Sequence, residues 1–490
     1  MIPEAGHVTM TEDSFGSGVR FLEVWRDWQN SRPRPGTCLH FVAAASGPLH
    51  REELLKAVEG QTELEPLAQE LCDHYPAVAT GTHRLVLDRG RVRLTLCFGD
   101  LTDACATDDV GQRAQPRVAV IGAGIAGCLL ANNLAGRGIE TTLIDAADTV
   151  AAGASGNRQG ALYVKLGVDY NDQTELALSA LLFSQRFYRQ FKGQGWHPTG
   201  LVQLVYNASE ADRQARFLAK NQYPPAVFQP VTAEQASQLA GIPIPHGGLW
   251  FPESGWLQPD ILCNALTDQP LITQRMNFPV ARLAADAAGW RIISTSGEAL
   301  CFDRVIICAG PNTPELIPVA GEFRMKAIRG QITEVPETLI NPPSLVVCGP
   351  GYVNPAHRGS ALVGATFDLH NSDPEVAQAS DRENLKMLAE LLPSALDKTG
   401  LDDLSSQVRG RVAFRCTTHD YQPIAGPMKS RDGEVIEGVY LFTGLGSKGL
   451  TYSPLLAEYL ADLLTGQPCC LPTNLVRRLE TGRCHKPVKD

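Results

Sequence analysis

Three glycines with the spacing of a nucleotide-binding turn lie near residue 120. Gly122, Gly124 and Gly127 form a G-x-G-x-x-G pattern directly after the apolar segment 118–121. Such a turn between a strand and a helix brings backbone N–H groups and the positive end of the helix dipole to a pyrophosphate. Asp145 ends the next apolar segment about 20 residues on, where a carboxylate accepts hydrogen bonds from an adenosine ribose. The spacing therefore predicts a dinucleotide cofactor.

Two further segments favour FAD over NAD as this cofactor. "DRVIICAGPNT" ends an apolar strand in Ala-Gly, and "YLFTGLGSKGLTYSPLLAEYLADLL" places another glycine turn before a helix. NAD needs only the first turn, whereas two-domain flavin oxidases use all three, and the dipole of the last helix stabilises the reduced flavin anion. The predicted cofactor-binding residues outside the first turn are mostly small or amide residues: Ser155, Asn157, Gln159, Gly160, Ala309, Gly310, Gly444, Gly446, Ser447, Gly449 and Leu450.

The segments around these turns predict an α/β protein with two main parts. Residues 1–103 show a helix at "VRFLEVWRDWQN", a strand at "CLHFVAAA", two more helices and a hairpin across Arg89-Gly90. Residues 104–115 are polar and predict a linker. From residue 116 the order strand, glycine turn, helix, strand predicts a Rossmann-type FAD-binding domain. A mixed-sheet α+β substrate domain is expected as an insertion into it.

The predicted boundaries divide residues 116–490 between these two domains. FAD-binding segments are expected at about 116–195, 250–275, 300–320 and 405–470. Substrate-binding segments are expected at about 196–250 and 276–404. The chain thus returns to the FAD-binding domain near its end, where "VYLFTG" resumes the apolar pattern of a buried strand.

The composition predicts a cytoplasmic protein with a large core. Apolar residues make up 44% of 490 residues, and the formal charge of −10 argues against a surface coated for nucleic-acid binding. The 13 cysteines include no C-x-x-C pair, a pattern that fits reduced thiols and no metal site. The N-terminus lacks the pattern of a signal peptide, and no apolar run approaches the roughly 20 residues of a membrane span.

One basic segment stands out against the acidic total. The end of the chain, "NLVRRLETGRCHKPVKD", contains Arg477, Arg478, Arg483, Lys486 and Lys489. Two interpretations stay open at this point: a solvated tail, or a local patch for nucleic-acid phosphates.

Four segments resemble the oxidase half of the MnmC family, whose members make 5-methylaminomethyl-2-thiouridine at the tRNA wobble position. They are "GASGNRQGALY" (153–163), "RGQ" (329–331), "GRVAFRCTTHDYQPIAGP" (410–427) and "GLGSKGLTYSPLLAEYLA" (444–461). The resemblance runs from about Arg117 to the basic tail. It implies a fold of the amine or D-amino acid oxidase type, FAD and a tRNA substrate. It also implies oxidation of a carboxymethylaminomethyl group on uridine, with release of glyoxylate and with dioxygen reoxidising the flavin.

The substrate that this resemblance implies carries a carboxylate, which an arginine fork binds best. Arg415 in "AFRCTT" is the first candidate for this anchor and Arg329 in "RGQ" the second, with a structural ion pair as the alternative for each. Lys448 lies in the third glycine turn, where it either assists the flavin or faces solvent. Tyr352 either closes over the substrate or packs in the core. Structural roles are expected for Trp256 and His419.

The N-terminal segment resembles part of the family's methyltransferase half, but its glycine loop is eroded. The family pattern is G-x-x-G-F-G-x-G, and the matching stretch here is "TEDSFGSG". Thr11 and Ser14 replace two glycines, so that only Gly16 and Gly18 remain. Side chains at the replaced positions crowd the backbone approach that S-adenosylmethionine requires.

Two further departures from the family predict that methyl transfer is lost. Ala45 stands where the family has a glutamate for the cofactor ribose. Asp103 leads directly into the linker, so the family's acidic Asp-Gly-Phe-Ala-Pro segment is missing. Residues 1–103 are therefore predicted to be a truncated methyltransferase-like domain.

The leading interpretation is an FAD-dependent tRNA-modifying oxidase, and two alternatives stay open. One is an oxidase of small amino acids such as glycine or sarcosine, which would share the fold. The other is a non-catalytic, flavin-containing tRNA-binding protein.

Overall fold

A four-stranded sheet with three helices forms the N-terminal part of the molecule. The computed structural model describes residues 7–34, 36–77, 80–98, 116–287, 289–318, 323–396 and 404–486, so the predicted linker at 104–115 lies outside the described residues. The N-terminal elements are β1 (His7–Glu12), α1 (Val19–Asn30), β2 (Cys38–Ala44), α2 (Arg51–Ala57), α3 (Glu65–His74), β3 (Gly81–Leu87) and β4 (Val92–Phe98).

The pattern of apolar residues explains this small sheet. The strand order is β1-β2-β4-β3, with β1, β2 and β4 parallel and the β3–β4 hairpin antiparallel. Helix α1 buries Phe21, Leu22, Trp25 and Trp28, whose spacing of three and four residues places them on one face. The predicted helix, strand and hairpin of this segment are confirmed.

The oxidase part of the chain begins with a strand, a turn and a helix, as its sequence pattern predicts. Its elements up to residue 316 are, in chain order, β5 (Val118–Ile121), α4 (Ile125–Gly136), β6 (Thr141–Ile144), β7 (Gly160–Leu162), α5 (Asp172–Tyr188), β8 (Trp196–His197), β9 (Leu201–Leu204), α6 (Ala208–Lys220), β10 (Gln229–Val231), α7 (Ala233–Ala240), β11 (Gly248–Phe251), β12 (Gly255–Leu257), α8 (Pro259–Thr267), β13 (Ile272–Arg275), β14 (Val280–Asp286), β15 (Gly289–Ser294), β16 (Ala299–Phe302), β17 (Arg304–Ile307) and α9 (Thr313–Leu316).

Long strands and a buried helix make up the rest of the chain. These elements are β18 (Met325–Pro336), β19 (Val346–Cys348), β20 (Tyr352–Val353), β21 (Ser360–Gly364), α10 (Gln378–Leu391), β22 (Arg409–Thr418), β23 (Ile424–Lys429), β24 (Val435–Thr443), α11 (Gly449–Thr465) and α12 (Thr473–Leu479).

A six-stranded sheet carries the three glycine turns. Its order is β13-β6-β5-β17-β24-β23, and every neighbouring pair except β23–β24 is parallel. All four residues of β5 are buried, as expected for a parallel strand that is covered on both faces. Helices α4 and α11 pack against each other on this sheet. The predicted α/β class with a Rossmann-type start is confirmed.

An eight-stranded mixed sheet forms the second layer, and it corrects two of the predicted boundaries. Its order is β10-β11-β9-β19-β20-β21-β18-β22. Strand β22 was expected in an FAD-binding segment, but it pairs over its full length with β18 of this sheet. Strands β14 to β16 were expected in the substrate domain, but Phe278, Ile292 and Phe302 pack with Ile121 of the six-stranded sheet. Short strands have patterns that fit either layer, so only the long-range pairing decides between them.

Two features of the described residues concern membranes and metals. None of the helices there is long and apolar enough to cross a lipid bilayer. No group of three or more His, Cys, Asp or Glu side chains in the same residues is arranged to hold a metal ion.

Candidate functional site

Three glycine turns meet at the carboxyl edge of the six-stranded sheet. Strands β5, β17 and β24 are neighbours and run parallel, so their ends at Ile121, Ile307 and Thr443 lie side by side. In open α/β sheets, ligands bind in the crevice outside this edge. The structure thus brings together the three segments that the sequence singles out for the cofactor.

The first turn requires glycine because two backbones approach each other closely. Gly122 has a φ of 111°, and a Cβ atom there would overlap the carbonyl oxygen of Cys308. A Cβ atom on Gly127 would overlap the carbonyl oxygen of Gly122. Because these two glycines have no side chains, α4 and β17 pack directly against the turn. This packing sets the shape of the site.

The N-terminus of α4 opens toward this crevice. Gly124 is the residue that precedes the helix, and the Ile125 N–H donates to Ser155 Oγ at 2.9 Å. The first N–H groups of a helix have no partner within the helix, and they suit an anionic diphosphate. Asp145 accepts hydrogen bonds from the Ala123 N–H (2.7 Å) and the Ala147 N–H (2.9 Å), so its carboxylate also holds the turn. Its role toward a ribose stays a prediction.

The segment 153–163 joins the cofactor sheet to the substrate sheet. Arg411 Nη1 on β22 donates to Asn157 Oδ1 at 2.6 Å, and Arg411 Nη2 donates to the Gly153 carbonyl at 2.7 Å. Gln159 is buried and donates from Nε2 to the Pro355 carbonyl at 2.9 Å. The sequence analysis missed Arg411, although its position within "GRVAFR" was a usable signal. Asn157 and Gln159 therefore orient this loop through the substrate sheet.

The third turn is held by the strand next to it. Gly444 and Gly446 have φ values of 74° and 58°, and the Gly446 N–H donates to the Cys416 carbonyl at 2.7 Å. Ser447 is exposed, and Lys448 directly precedes α11. On the neighbouring strand end, Gly310 follows Ala309 and accepts a long hydrogen bond of 3.5 Å from Thr443 Oγ1.

Helix α11 contains a proline, and a tyrosine compensates for it. Pro454 has no N–H, so the carbonyl of Leu450 loses its partner within the helix. Tyr188 OH donates to this carbonyl at 2.9 Å, and Ser184 Oγ donates to the Thr451 carbonyl at 2.6 Å. Gly160 lies against Leu450, because a Cβ atom there would overlap the leucine side chain. The start of α11 is thus fixed against α5 and β7.

The two candidate arginines lie on opposite faces of the substrate sheet. In the β18–β22 pairing, Arg329 is opposite Phe414 and Arg415 is opposite Ile328. Paired residues share a face and successive residues alternate, so Arg415 lies on the face of Arg411, which reaches the cofactor loop. Arg329 lies on the other face.

Arg329 therefore has a structural role, which corrects its assignment as second candidate for a carboxylate anchor. Its side chain is buried, and it donates to the carbonyls of Asp373 (2.8 Å) and Glu375 (2.6 Å). Weaker bonds at 3.3 and 3.4 Å join it to Gln331 and Ser380. The guanidinium group holds the loop before α10, on the face of the sheet opposite to Arg415.

Arg415 is a partly buried cation without a carboxylate partner in the described part of the chain. Its Nη1 donates to the Thr366 carbonyl at 3.0 Å, and its guanidinium carbon lies 5.8 Å from the ring centre of Phe367. Burial lowers its pKa, which marks a charge that lacks compensation. Gly330 makes room for it, since a Cβ atom there would overlap the guanidinium group. Such a cation is suited to bind an anionic ligand group.

Tyr352 and Lys448 are the other two predicted catalytic residues. Burial raises the pKa of Tyr352 to about 12, an effect that the charge of Arg415 opposes. Burial also lowers the pKa of Lys448, and the charge of Lys165 adds to this shift. No carboxylate in the described residues pairs with Lys448. Both roles in catalysis stay predictions.

Trp256 has the packing role that was expected of it. It is buried in β12 and stacks on His197 with ring centres 3.7 Å apart. His419 lies instead at a small basic cavity of about 580 Å³. Burial lowers its pKa, and although the charge of Asp420 opposes this shift, the charges of Arg324 and Lys326 add to it. The cavity is lined by Pro314, Glu315, Phe323, Arg324, Met325, Lys326, His419 and Lys486.

The basic tail is packed onto the protein as far as Lys486. Arg483 Nη1 contacts both carboxylate oxygens of Asp420 at 2.7 and 2.8 Å, and Nη2 donates to the carbonyls of Gln422 and Pro423. The interpretation as a solvated tail is thus wrong for Arg483, whose guanidinium group is bound by these acceptors, whereas Lys486 is exposed. Arg477 is exposed and Arg478 is half-buried, whereas Lys489 lies outside the described residues.

A second cavity, of about 680 Å³, lies beside the eroded N-terminal glycine loop, which was predicted to have lost its cofactor. It opens at the carboxyl ends of β1, β2 and β4, next to Ser14, Ala45 and Phe98. The oxidase part closes its other side with Tyr170 and residues 220–223. Gly16 and Gly18 have φ values of 53° and 83°, so the loop keeps its turn although two glycines are replaced.

The residues at the three turns fit FAD. A helix N-terminus, two glycines without room for a Cβ atom and two further turns on adjacent strand ends lie together at the carboxyl edge of the sheet. The FAD-dependent oxidoreductase family model, DAO, matches residues 117–463, so this part of the chain is an FAD-dependent oxidoreductase.

Comparison with curated proteins gives the family within this class. The chain is 42% identical over 566 aligned residues to the tRNA 5-methylaminomethyl-2-thiouridine biosynthesis bifunctional protein MnmC of Marinobacter nauticus, covering 98% of this chain and 89% of that protein. The MnmC protein of Hahella chejuensis is 32% identical, with coverage of 98% and 91%. The chain belongs to the MnmC family. The first alignment is longer than the 490 residues of this chain, so the relative contains segments that this chain lacks.

Solved structures agree on the fold of the oxidase part. Glycine oxidase from Bacillus cereus matches with a TM-score of 0.58 and 19% identity, covering 76% of this chain and 100% of that one. Iminodiacetate oxidase from Chelativorans matches with a TM-score of 0.60 and 21% identity, covering 73% and 97%. At this identity the likeness establishes the architecture of the two layers.

A substitution at the first turn tests the placement of the cofactor. We expect Gly124→Val to reduce the FAD content of the purified protein at least about tenfold, because the side chain fills the space of the pyrophosphate. The control is Gly136→Val at the far end of α4, where a Cβ atom meets open space. Flavin absorbance per protein measures the result, and full flavin content in the Gly124→Val protein would contradict the assignment.

Proposed function

We propose that this protein oxidises the carboxymethylaminomethyl group of the tRNA wobble uridine, with or without a 2-thio group, to an aminomethyl group. The single observation that carries the proposal is Arg415, a partly buried cation without a carboxylate partner in the described residues, on the same face of the sheet as Arg411, which bonds the loop at Asn157. A substrate with a carboxylate next to an oxidisable C–N bond supplies the missing charge. Membership of the MnmC family supports tRNA as the carrier of that group.

The proposed reaction cleaves a C–N bond in two stages, an oxidation and a hydrolysis. FAD, when bound, would supply the hydride acceptor for the methylene group between the amine and the carboxylate, and the amine would lose a proton as this hydride leaves. Water adds to the resulting C=N bond, which releases glyoxylate and leaves the primary amine on the uridine. Dioxygen is the proposed electron acceptor, and it leaves as hydrogen peroxide. The donor is thus a CH–NH group.

The chain contributes binding and orientation. Arg415 is proposed to hold both carboxylate oxygens, which fixes the methylene carbon relative to the cofactor crevice. Tyr352 is proposed to close over the substrate as a neutral hydroxyl, since burial raises its pKa to about 12. Lys448 is proposed to place its positive charge beside the reduced cofactor or the oxygen that reacts with it.

The basic cavity offers a place for tRNA phosphates outside the reaction site. Lys326 on β18 lies two residues from Ile328, the strand partner of Arg415, which is about 7 Å along a strand. We propose that Lys326 and Arg324 contact the RNA backbone, together with the exposed Arg477 of α12. Such contacts are sensitive to salt, because each releases counterions.

We further propose that residues 7–98 no longer transfer methyl groups. The parallel strands β1, β2 and β4 keep the crevice of a cofactor-binding sheet. Ser14 and Ala45 line it in place of the glycine and the glutamate of the family pattern. The side chain of Ser14 is expected to crowd the methionine part of the cofactor close to the loop backbone, and Ala45 offers no acceptor for the ribose.

The decisive experiment is an assay of the purified, FAD-loaded protein on tRNA that carries carboxymethylaminomethyluridine. We expect the aminomethyl nucleoside and glyoxylate, detected by mass spectrometry, and a loss of about 30- to 1000-fold in kcat/KM for Arg415→Lys, because a point charge replaces a fork. Arg282→Lys, at an exposed position on β14, is the matched control. Equal turnover of the Arg415→Lys protein would contradict the role of this arginine.

The same assay distinguishes the two alternatives. Oxidation of glycine or sarcosine, but not of the modified tRNA, would identify an oxidase of small amino acids. Binding of tRNA without turnover of any amine would identify a non-catalytic flavoprotein.

Titration with S-adenosylmethionine tests the loss of methyl transfer. We expect no heat of binding at micromolar ligand and no methylation of aminomethyl-modified tRNA. The bifunctional relative from Marinobacter nauticus serves as the positive control for both measurements. Micromolar binding together with methyl transfer would refute this part of the proposal.

A further inference from the structure

The two helices that begin at the cofactor crevice end at one buried group of charged side chains. Helix α4 starts after Gly124 and is followed by Arg137, and α11 starts at the third turn and carries Glu458 and Asp462 near its end. Arg84 on β3 and Arg93 on β4 of the N-terminal sheet reach the same place. We define these five residues, Arg84, Arg93, Arg137, Glu458 and Asp462, as the junction cluster.

Short contacts hold the junction cluster together. Glu458 Oε1 lies 2.7 Å from Arg93 Nε, 2.9 Å from Arg137 Nη2 and 3.2 Å from Arg84 Nη1. Asp462 lies 2.9 Å from Arg137 Nη1 and 3.5 Å from Arg84 Nη2. One carboxylate of the oxidase thus receives two arginines from the N-terminal sheet and one from its own domain.

Further bonds fix the two N-terminal arginines. Arg84 Nη2 donates to the Pro468 carbonyl at 2.8 Å, and Arg84 Nε donates to Thr95 Oγ1 at 2.8 Å. Arg93 Nη1 donates to the Gly90 carbonyl at 2.6 Å. The guanidinium groups are therefore held from both sides of the boundary between the two parts of the molecule.

Water has almost no access to these charges. All five side chains are at most 3% exposed. A buried charge that loses its partners is strongly destabilising. Within the oxidase part the cluster holds two carboxylates and one arginine, so the N-terminal sheet supplies the positive charge that these carboxylates need.

The acidity of the two carboxyl groups reflects this dependence. Burial by itself raises the pKa of Glu458, but the charges of Arg137, Arg93 and Arg84 outweigh it and hold the pKa well below its ordinary value. Burial raises the pKa of Asp462, and the arginines counter this only in part. The arginines thus stabilise the charged form of Glu458 more than that of Asp462.

We propose that the N-terminal part of this protein serves as a positioning unit for the cofactor site. Its Arg84 and Arg93 clamp the far ends of α4 and α11, and these two packed helices carry the first and third glycine turns at their other ends. This gives residues 7–98 a function that does not depend on methyl transfer. The junction cluster consists of positioning residues, since none of them reaches the crevice.

The test measures FAD affinity of the full-length apoprotein by quenching of flavin fluorescence. Glu458→Gln keeps the volume of the side chain and leaves three arginines against Asp462 alone. We expect the Kd for FAD to rise at least about tenfold, because the helix ends separate under the excess positive charge. Arg93→Met combined with Glu458→Gln returns the charge balance of the native cluster, and we expect it to recover most of the lost affinity.

Two controls separate positioning from general stability. Leu204→Ala removes a buried side chain from the core of the substrate sheet, and we expect it to lower Tm without weakening FAD binding. Arg117→Met removes an exposed ion pair with Asp303 in the oxidase part, and it should change neither property.

The results with Glu458→Gln and with the double variant support or overturn the proposal. A lower Tm with an unchanged Kd for FAD in Glu458→Gln would overturn it, and so would a loss of FAD affinity that Arg93→Met does not recover. If Glu458→Gln alone fails to accumulate as folded protein, recovery of a folded, FAD-binding double variant supports the clamp. Failure of the double variant as well would overturn it.

Discussion

The contact between the first glycine turn and the end of β17 is the constraint on which the cofactor site depends. Gly122 lies so close to the carbonyl of Cys308 that no side chain fits between them, and Gly127 packs in the same way on Gly122. Because β5 and β17 are adjacent and parallel, this contact brings the Ala309-Gly310 segment beside the N-terminus of α4. The third turn then follows from the pairing of β17 with β24.

A small number of polar contacts join the substrate sheet to the cofactor site. Arg411 on β22 holds the loop around Asn157, and Gln159 bonds the Pro355 carbonyl. These bonds turn one face of β18 and β22 toward the cofactor crevice. The same face carries Arg415, whereas Arg329, on the other face, stabilises the loop before α10. Because side chains alternate between the two faces of a strand, the candidate binding residue Arg415 and the structural residue Arg329 lie on opposite faces of the sheet.

The N-terminal part illustrates how a domain that lacks pieces of its family pattern is held in the molecule. Its core of Phe21, Trp25 and neighbouring apolar side chains folds around four strands. Its β3–β4 hairpin carries Arg84 and Arg93, which form buried ion pairs with carboxylates of α11. Removing the partner of a buried charge lowers the free energy of unfolding far more than breaking an exposed ion pair does. These buried ion pairs therefore hold the N-terminal part against the oxidase part.

The sequence by itself determined the local features of this protein. The glycine turns, the apolar run of β5, the amphipathic face of α1 and the β3–β4 hairpin follow from residue spacing, because neighbouring residues dictate these shapes. The FAD class and the family also followed from segments that are continuous in the chain. Only the tertiary structure decided that Arg415 and Arg329 face opposite ways, that β22 belongs to the substrate sheet and that Arg483 is bound by Asp420. It alone showed the junction cluster, whose partners Arg84 and Glu458 are 374 residues apart. Long-range register and burial arise from contacts between distant segments, and no local pattern encodes them.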